Sequence, residues 1–412
     1  MKNELPVSVN ARSVVTQLQK AGYETYIVGG AIRDMLLGRT PKDFDISTAA
    51  TPEEIRQVFG RRSARIIGKR FRLAHVYSGR ELFEVATFRK APGKKDLAEH
   101  QNGGKDDLPD NLIVSDNSFG TSKEDAARRD FTVNALFYDP EKKEIKDFTG
   151  KGLDDMERGI VRAIGNPGLR FEEDPVRMLR ALKLVGQYDF ALDSATENAL
   201  FAKLPLFELA SSSRRALELE KILQSAYGDR LLEVFHDYGL LEYFLPELNR
   251  VWETPVMDRA LELLYERNCR LDEGRYRNSV SLAMACVALP FVEEELGIAP
   301  GDIFPARKSA RAITKVLENI FLPLHMMIRL NLSAEKVLGQ QAIYDQGKCP
   351  QELFTSRSYP NSRELKIIRT AVDGGDPEQC DREWPLPQPE SRHRDGGRKR
   401  PPRKKKPKVQ NS

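Results

Sequence analysis

Apolar residues recur at helical spacing between residues 10 and 22, at Val14, Val15 and Leu18, before the chain turns β-rich in ETYIVGG and closes on paired glycines. A strand entering a Gly turn is expected there. AIRDMLLG restores the helical pattern and stops at Gly38, and KDFDIST reads as a strand. TPEEIRQVF opens with Thr51 as N-cap, Pro52 at the first helical position and acids in the first turn, the signals that start a helix. ARIIGKRFRLAHVYSG and ELFEVATFR are two strand-like runs parted by a Gly-containing turn. Residues 90–123 are rich in Gly, Lys, Asp and Asn without a period, which predicts a mobile loop. KEDAARRDFTVNALFYDP then reads as a helix running into a strand, and KEIKDF as a further strand. From Asn166 the pattern is almost wholly helical, through DPVRMLRALKLVGQY, SATENALFAKL, SRRALELEKILQSA and DRLLEVFHDYGLLEYF. The expected fold is α+β: a head over 10–150, a helical neck over 151–225, a helical body over 226–380 and a disordered tail over 385–412.

Composition narrows the class. With 412 residues, 40% hydrophobic and 31% charged, the chain suits a globular protein of several domains with a charged surface. No run approaches the ~20 apolar residues that span a bilayer, and the first residues lack the apolar core of a signal peptide, so a cytoplasmic protein is expected. Cys269, Cys286, Cys349 and Cys380 form no CxxC pair and have no neighbouring histidine, which predicts free thiols. The net charge of +4 hides a division: from Ser391 to Ser412 ten Lys/Arg face one Asp, leaving that tail at +9 and the other 390 residues at −5. Only Val409 in the tail is aliphatic or aromatic, so it has too little apolar surface to fold, and its basic residues are suited to nucleic-acid phosphates.

The candidate chemistry starts at KDFDIS. In a strand Asp43 and Asp45 project together and Phe44 opposite, with the two carboxylates roughly 6 to 7 Å apart at Cα. Unpaired, they raise each other's pKa. A hard cation reverses that penalty, and Mg²⁺ takes one or two carboxylates together with substrate phosphates, so an open DxD suits a metal-held triphosphate. The turn at Gly29 and Gly30 precedes a helix whose amides, with Arg33, can receive phosphate oxygens. Glu84, on a strand in EVATFR, can complete a metal set.

GGAIRDMLLGRTPKDFDIST resembles the signature of the nucleotidyltransferase family that contains bacterial poly(A) polymerases and class II CCA-adding enzymes, with Ile32 where valine is usual. RRDFTVNAL, from Arg128 to Leu136, and EDPVRMLRALK, from Glu173 to Lys183, look like two more blocks of that family. The resemblance implies a palm-type head in which Asp43, Asp45 and Glu84 hold two Mg²⁺ ions while an RNA 3′-hydroxyl attacks the α-phosphate of a nucleotide. Gly29, Gly30 and Arg33 are then expected on the triphosphate, and Arg128, Arg129, Asp130 and Asn134 on phosphate and ribose, with Asp130 accepting from a sugar hydroxyl. Asp174 and Arg177, three apart at a helix start, share a face. Facing a base, such a pair accepts from an exocyclic amine and donates to a ring nitrogen, which selects A and C against G and U without separating A from C. Arg180 and Lys183 extend that face, either toward nucleotide or RNA or as solvated surface.

Both activities of the family share these blocks. IIGKRFRLAHVY, with Gly68, the basic residues 69 and 70, Phe71, Leu73 and His75, looks like the segment that marks bacterial poly(A) polymerases; DNSFGT is also similar to that type, and the basic tail fits it. His75 itself is expected to be structural. The expectation is therefore template-independent addition of AMP from ATP to RNA 3′ ends by a monomer. Arg398, Lys399, Arg400, Arg403, Lys404, Lys405 and Lys406 are expected to add RNA affinity. CCA or A addition to tRNA and a non-catalytic RNA-binding protein remain the alternatives.

Overall fold

The computed structural model describes residues 4–68, 72–90, 118–306, 308–324, 326–347 and 351–386. The middle of the expected loop, the basic residues 69 and 70 with Phe71, Cys349 and the tail with its lysines and arginines lie outside the described residues.

Helix α1 (Val9–Lys20) starts where the Ser8 hydroxyl accepts the Ala11 N–H, and it buries Ala11, Val14, Val15 and Leu18 along one stripe. Strand β1 (Thr25–Val28) leads through Gly29 into α2 (Gly30–Leu36); β2 (Asp45–Thr48) follows, then α3 (Pro52–Ser63), whose Thr51 and Glu54 form the capping box that its sequence implies. ARIIGKRFRLAHVYSG divides into two antiparallel strands, β3 (Ala64–Ile67) and β4 (Leu73–Ser78), because Gly68 takes a positive φ of 79° and breaks the run. Next come β5 (Glu81–Thr87), α4 (Ser122–Ala127), a 3₁₀ turn at Thr132–Asn134, β6 (Leu136–Asp139) and β7 (Glu144–Asp147).

These strands form one mixed sheet in the order β3-β4-β5-β2-β1-β6-β7, antiparallel except where β2 runs parallel to β5. One face carries Ile27, Ile46, Val85 and Tyr138 into a core shared with Val14, Ile32 and Ile55 of the three helices. The other face packs Tyr26, Val28, Phe88 and Phe137 against Ala126 of α4.

Beyond the sheet lie α5 (Gly152–Arg158), α6 (Pro167–Glu173), α7 (Val176–Tyr188), α8 (Ser194–Lys203) and α9 (Ser212–Gln224), with further helices to Glu383. The helical expectation misses one feature: Ile160–Val161 pairs in parallel with Ala191–Leu192, a two-stranded ribbon too short to show a period. A larger core spans Phe171 to Ile368 around the helix Val280–Leu296, which is apolar on every side and therefore central to its neighbours. Cys269, Cys286 and Cys380 are free thiols. No described helix is long and apolar enough to cross a membrane.

Candidate active site

One end of the sheet gathers the candidate chemistry. Asp45 opens β2 opposite Val28, the Gly29 N–H reaches the Leu136 carbonyl at 3.3 Å, and Leu136 pairs with Asp147, so β2, β1, β6 and β7 all present an end there. The parallel register of Ile46 with Val85 brings Glu84 level with Asp45. Asp43 does not share the strand with Asp45. The strand begins one residue after Phe44, so Asp43 lies in the irregular segment before it and the strict face alternation expected of KDFDIS does not apply to it.

The electrostatics of the carboxylates survive that change. Asp45 is open to solvent yet crowded by protein, and this partial desolvation, with the charges of Asp43 and Glu84, pushes its carboxyl up to about 6; Arg129 acts in the opposite direction. Hard oxygen donors that repel one another are the chemistry a divalent cation relieves. Among the described residues no three such side chains converge as a finished cage. An open set of this kind fits an ion whose shell is completed by substrate oxygens and water. Glu84 also faces His75 across β4 and β5, with Nε2 to Oε1 at 3.6 Å.

Gly29 is required twice over. Its φ is +75°, and a Cβ would stand 3.3 Å from Arg129 Nη1. Arg129 is held along the sheet by Asp125 at 3.0 Å, Ser47 Oγ at 3.3 Å and the Phe137 ring, whose centroid lies 5.1 Å from the guanidinium carbon. Arg128 also pairs with Asp125, at 3.2 Å. Asp130 accepts from the Asn134 amide at 3.3 Å and lies 3.8 Å from Arg180.

Arg33 is more committed than its motif suggests. It donates Nε and Nη2 to Asp34 at 3.1 and 2.8 Å, Nη1 to Asn134 at 2.7 Å and Nη2 to the Tyr188 hydroxyl at 2.6 Å. One of its five N–H groups is left for a ligand. Tyr188, at the end of α7, donates in turn to Asp34 at 2.7 Å, and both Arg33 and Arg39 lie over its ring, at 4.3 and 4.7 Å.

Asp174 and Arg177 differ from the expected helix-start pair. Asp174 is extended between α6 and α7, where its carboxylate accepts the Val176 N–H at 3.2 Å and Arg214 Nη2 at 2.7 Å. Arg177 gives Nη1 to Glu173 and to the Arg170 carbonyl, both at 2.9 Å. No ion pair joins the two. Each Asp174 oxygen retains a lone pair and Arg177 retains Nε and Nη2, so base recognition stays within their capacity. Lys183 is fixed at 2.8 Å to buried Glu218. Burial opposes the Glu218 charge, but Lys183, Lys221 and Arg180 hold its carboxyl down to about 2.

Sequence reasoning passed over Arg214, Arg170 and Tyr188. Arg170 ties Glu173 at 2.6 Å to the backbone carbonyls of Arg128 and Arg129, joining two motif blocks. Arg214 did carry a signal, since arginines in the first turn of a helix oppose its dipole and imply an acidic partner. Tyr188 had none, because its partner Arg33 is 155 residues away.

The family model "Poly A polymerase head domain" matches residues 25–162, and "Probable RNA and SrmB-binding site of polymerase A" matches 189–251. Poly(A) polymerase I of Haemophilus influenzae is 43% identical over 59% of this chain, a match that spans only 52% of that relative's length. Poly(A) polymerase I of Salmonella typhi is 33% identical over 92% of this chain and 82% of its own. Among solved structures, the Bacillus stearothermophilus CCA-adding enzyme in complex with CTP superposes with a TM-score of 0.61 at 25% identity, covering 91% of this chain and 81% of that one.

Proposed function

The chain belongs to the nucleotidyltransferase family of bacterial poly(A) polymerases and CCA-adding enzymes, and from that premise we propose that it adds AMP from ATP to RNA 3′ ends without a template. The likeness to poly(A) polymerase I along 92% of the chain carries this reading. The alternative, CCA or A addition to tRNA, is favoured by the fold likeness to a CCA-adding enzyme.

In the reaction a bond forms between the RNA 3′-oxygen and the α-phosphorus, and the bond from that phosphorus to the pyrophosphate oxygen breaks. Asp43, Asp45 and Glu84 would hold divalent ions, which we take to be two Mg²⁺, and these would supply charge neutralisation for the transferred phosphate. The chain's own groups set the geometry. Gly29 and Gly30 let the triphosphate approach the backbone, Arg129 and the remaining N–H of Arg33 meet phosphate, and Arg128 supports them through Asp125. Asp130, steadied by Asn134 and Arg180, accepts from a ribose hydroxyl. Asp174 and Arg177 read the base, with Arg214 and Glu173 as the partners that aim them. We assign the chemistry to residues 10–150, base recognition to 151–225 and RNA contact to 226–380 and the tail beyond 385.

The test is pyrophosphate release by the purified chain with Mg²⁺, an unstructured RNA and each of the four nucleoside triphosphates in turn. ATP-dependent release that Asp45→Ala abolishes, with RNA binding retained, supports the reading. RNA binding without release under any condition supports a binding protein instead.

A further inference from the structure

A concave site opens at the same end of the sheet as Asp45. It is a cavity of about 400 Å³ between α4, the turn after β7 and the segment before α6, lined by Lys123, Phe148, Thr149, Lys151 and Arg162 among others. That volume falls in the range that accommodates one nucleotide-sized group.

Its charges are unequal in kind. Arg162 is fully matched, with Asp155 at 3.0 Å and Asp193 at 2.9 Å, and forms a fixed wall. The acids close in sequence to the lining residues are also engaged: Asp154 with Arg158, Glu124 in the capping box of Thr121, and Asp147 with the N–H groups of Thr149, Gly150 and Leu153. Lys123 and Lys151 are exposed and make no ion pair among the described residues. The cavity therefore presents two uncompensated ammonium groups, an arrangement that attracts a polyanion. Phe148 adds an aromatic wall, half-buried edge-on against Phe137, whose ring lies under Arg129.

Position ties this cavity to the reaction. From β2 to β7 there are three strand spacings, about 14 Å, so the cavity at the end of β7 lies to the side of Asp45 on the same sheet. Its wall shares backbone hydrogen bonds with the Asp130 segment, Ile164 N–H to the Asp130 carbonyl and Thr132 N–H to the Arg162 carbonyl, both at 3.0 Å. Asp193 and Ala195 complete the far side.

We propose that this cavity holds one nucleotide of the RNA strand upstream of its reacting 3′ end, with phosphates at Lys123 and Lys151 and the base against Phe148. The proposal rests on the function proposed above. It fits single-stranded RNA because phosphate binding beside an aromatic platform holds a strand without reading its sequence.

The test uses the full chain and the double variant Lys123→Glu with Lys151→Glu. Binding of a fluorescent twelve-nucleotide oligoadenylate is measured against salt, and ATP-dependent extension is measured for that primer and for the dinucleotide ApA, which is too short to reach the cavity. The expected result is at least about a tenfold loss of affinity for the long primer, with a salt slope shallower by about 1.4 because two phosphates are no longer neutralised. The KM for ATP and the extension of ApA stay unchanged. Phe148→Leu, which keeps the apolar packing on Phe137, should weaken only the long primer. Unchanged binding of the long primer, or equal loss for both primers, overturns the subsite. If the unaltered chain binds RNA through the two lysines but transfers no AMP, the subsite stands and the functional reading falls.

Discussion

At the scale of single residues the central group is Asp45. Its carboxyl is raised to about 6 in the folded chain, so the fold binds that proton more tightly than the unfolded chain does. Without metal, this contribution to stability is present at about pH 4 and is lost as pH rises through about 6. A divalent cation replaces the proton. Thermal melts with and without Mg²⁺ should therefore show little stabilisation by the ion at pH 4.5 and an increasing one between pH 5 and 7, and Asp45→Asn should flatten that dependence. Tyr188 makes a different prediction. Tyr188→Phe keeps the ring under two arginines but removes the hydroxyl that links Arg33 to Asp34. Stability should fall by about 1 kcal/mol, while steady-state kinetics should show the KM for ATP rising several-fold and kcat nearly constant, because a loosened Arg33 weakens nucleotide positioning before chemistry. A purely structural tyrosine would lower the apparent kcat through loss of folded enzyme and leave the KM unchanged.

At the scale of elements, local signals carried far. The capping box at Thr51, the stripe of α1 and the Gly29 turn follow from spacing and backbone freedom alone. What sequence reasoning mistook were ends: β2 starts at Asp45, and Asp174 stands outside α7. Both errors have one cause. A short polar segment next to a strand or helix has no period of its own, and tertiary partners decide its conformation, Arg214 in the case of Asp174. Arg170 and Arg214 are legible only once α6 and α9 are brought to the motif blocks. Arg214→Ala should leave Asp174 free to rotate, so misincorporation of GTP and UTP relative to ATP should rise several-fold while pyrophosphate release with ATP falls less. Unchanged selectivity would remove Arg214 from base recognition.

At the scale of the whole molecule, the division of charge was readable by counting, whereas the way the helices assemble was not. The core from Phe171 to Ile368 depends on long-range pairs such as Arg259 with Glu293 at 2.7 Å and Asp373 at 2.7 Å, and on the match between Arg270 and Glu364 at 2.5 Å. No short motif announces such pairs. The +9 tail leads to a separate expectation. Removing residues 387–412 should weaken RNA binding at low salt, make its salt dependence shallower by about 0.7 for each phosphate the tail neutralises, and leave the KM for ATP unchanged, as filter binding and steady-state assays would register. An unaltered salt slope would remove the tail from RNA recognition.

Polymerisation on any RNA, as opposed to repair of tRNA ends, is the activity on which everything else depends, and product length measures it. The purified chain is incubated with Mg²⁺ and ATP alone on an unstructured RNA and on a tRNA that ends before its terminal A. Long A tracts on both RNAs are the expected result. Addition of a single A, confined to the tRNA, would contradict it.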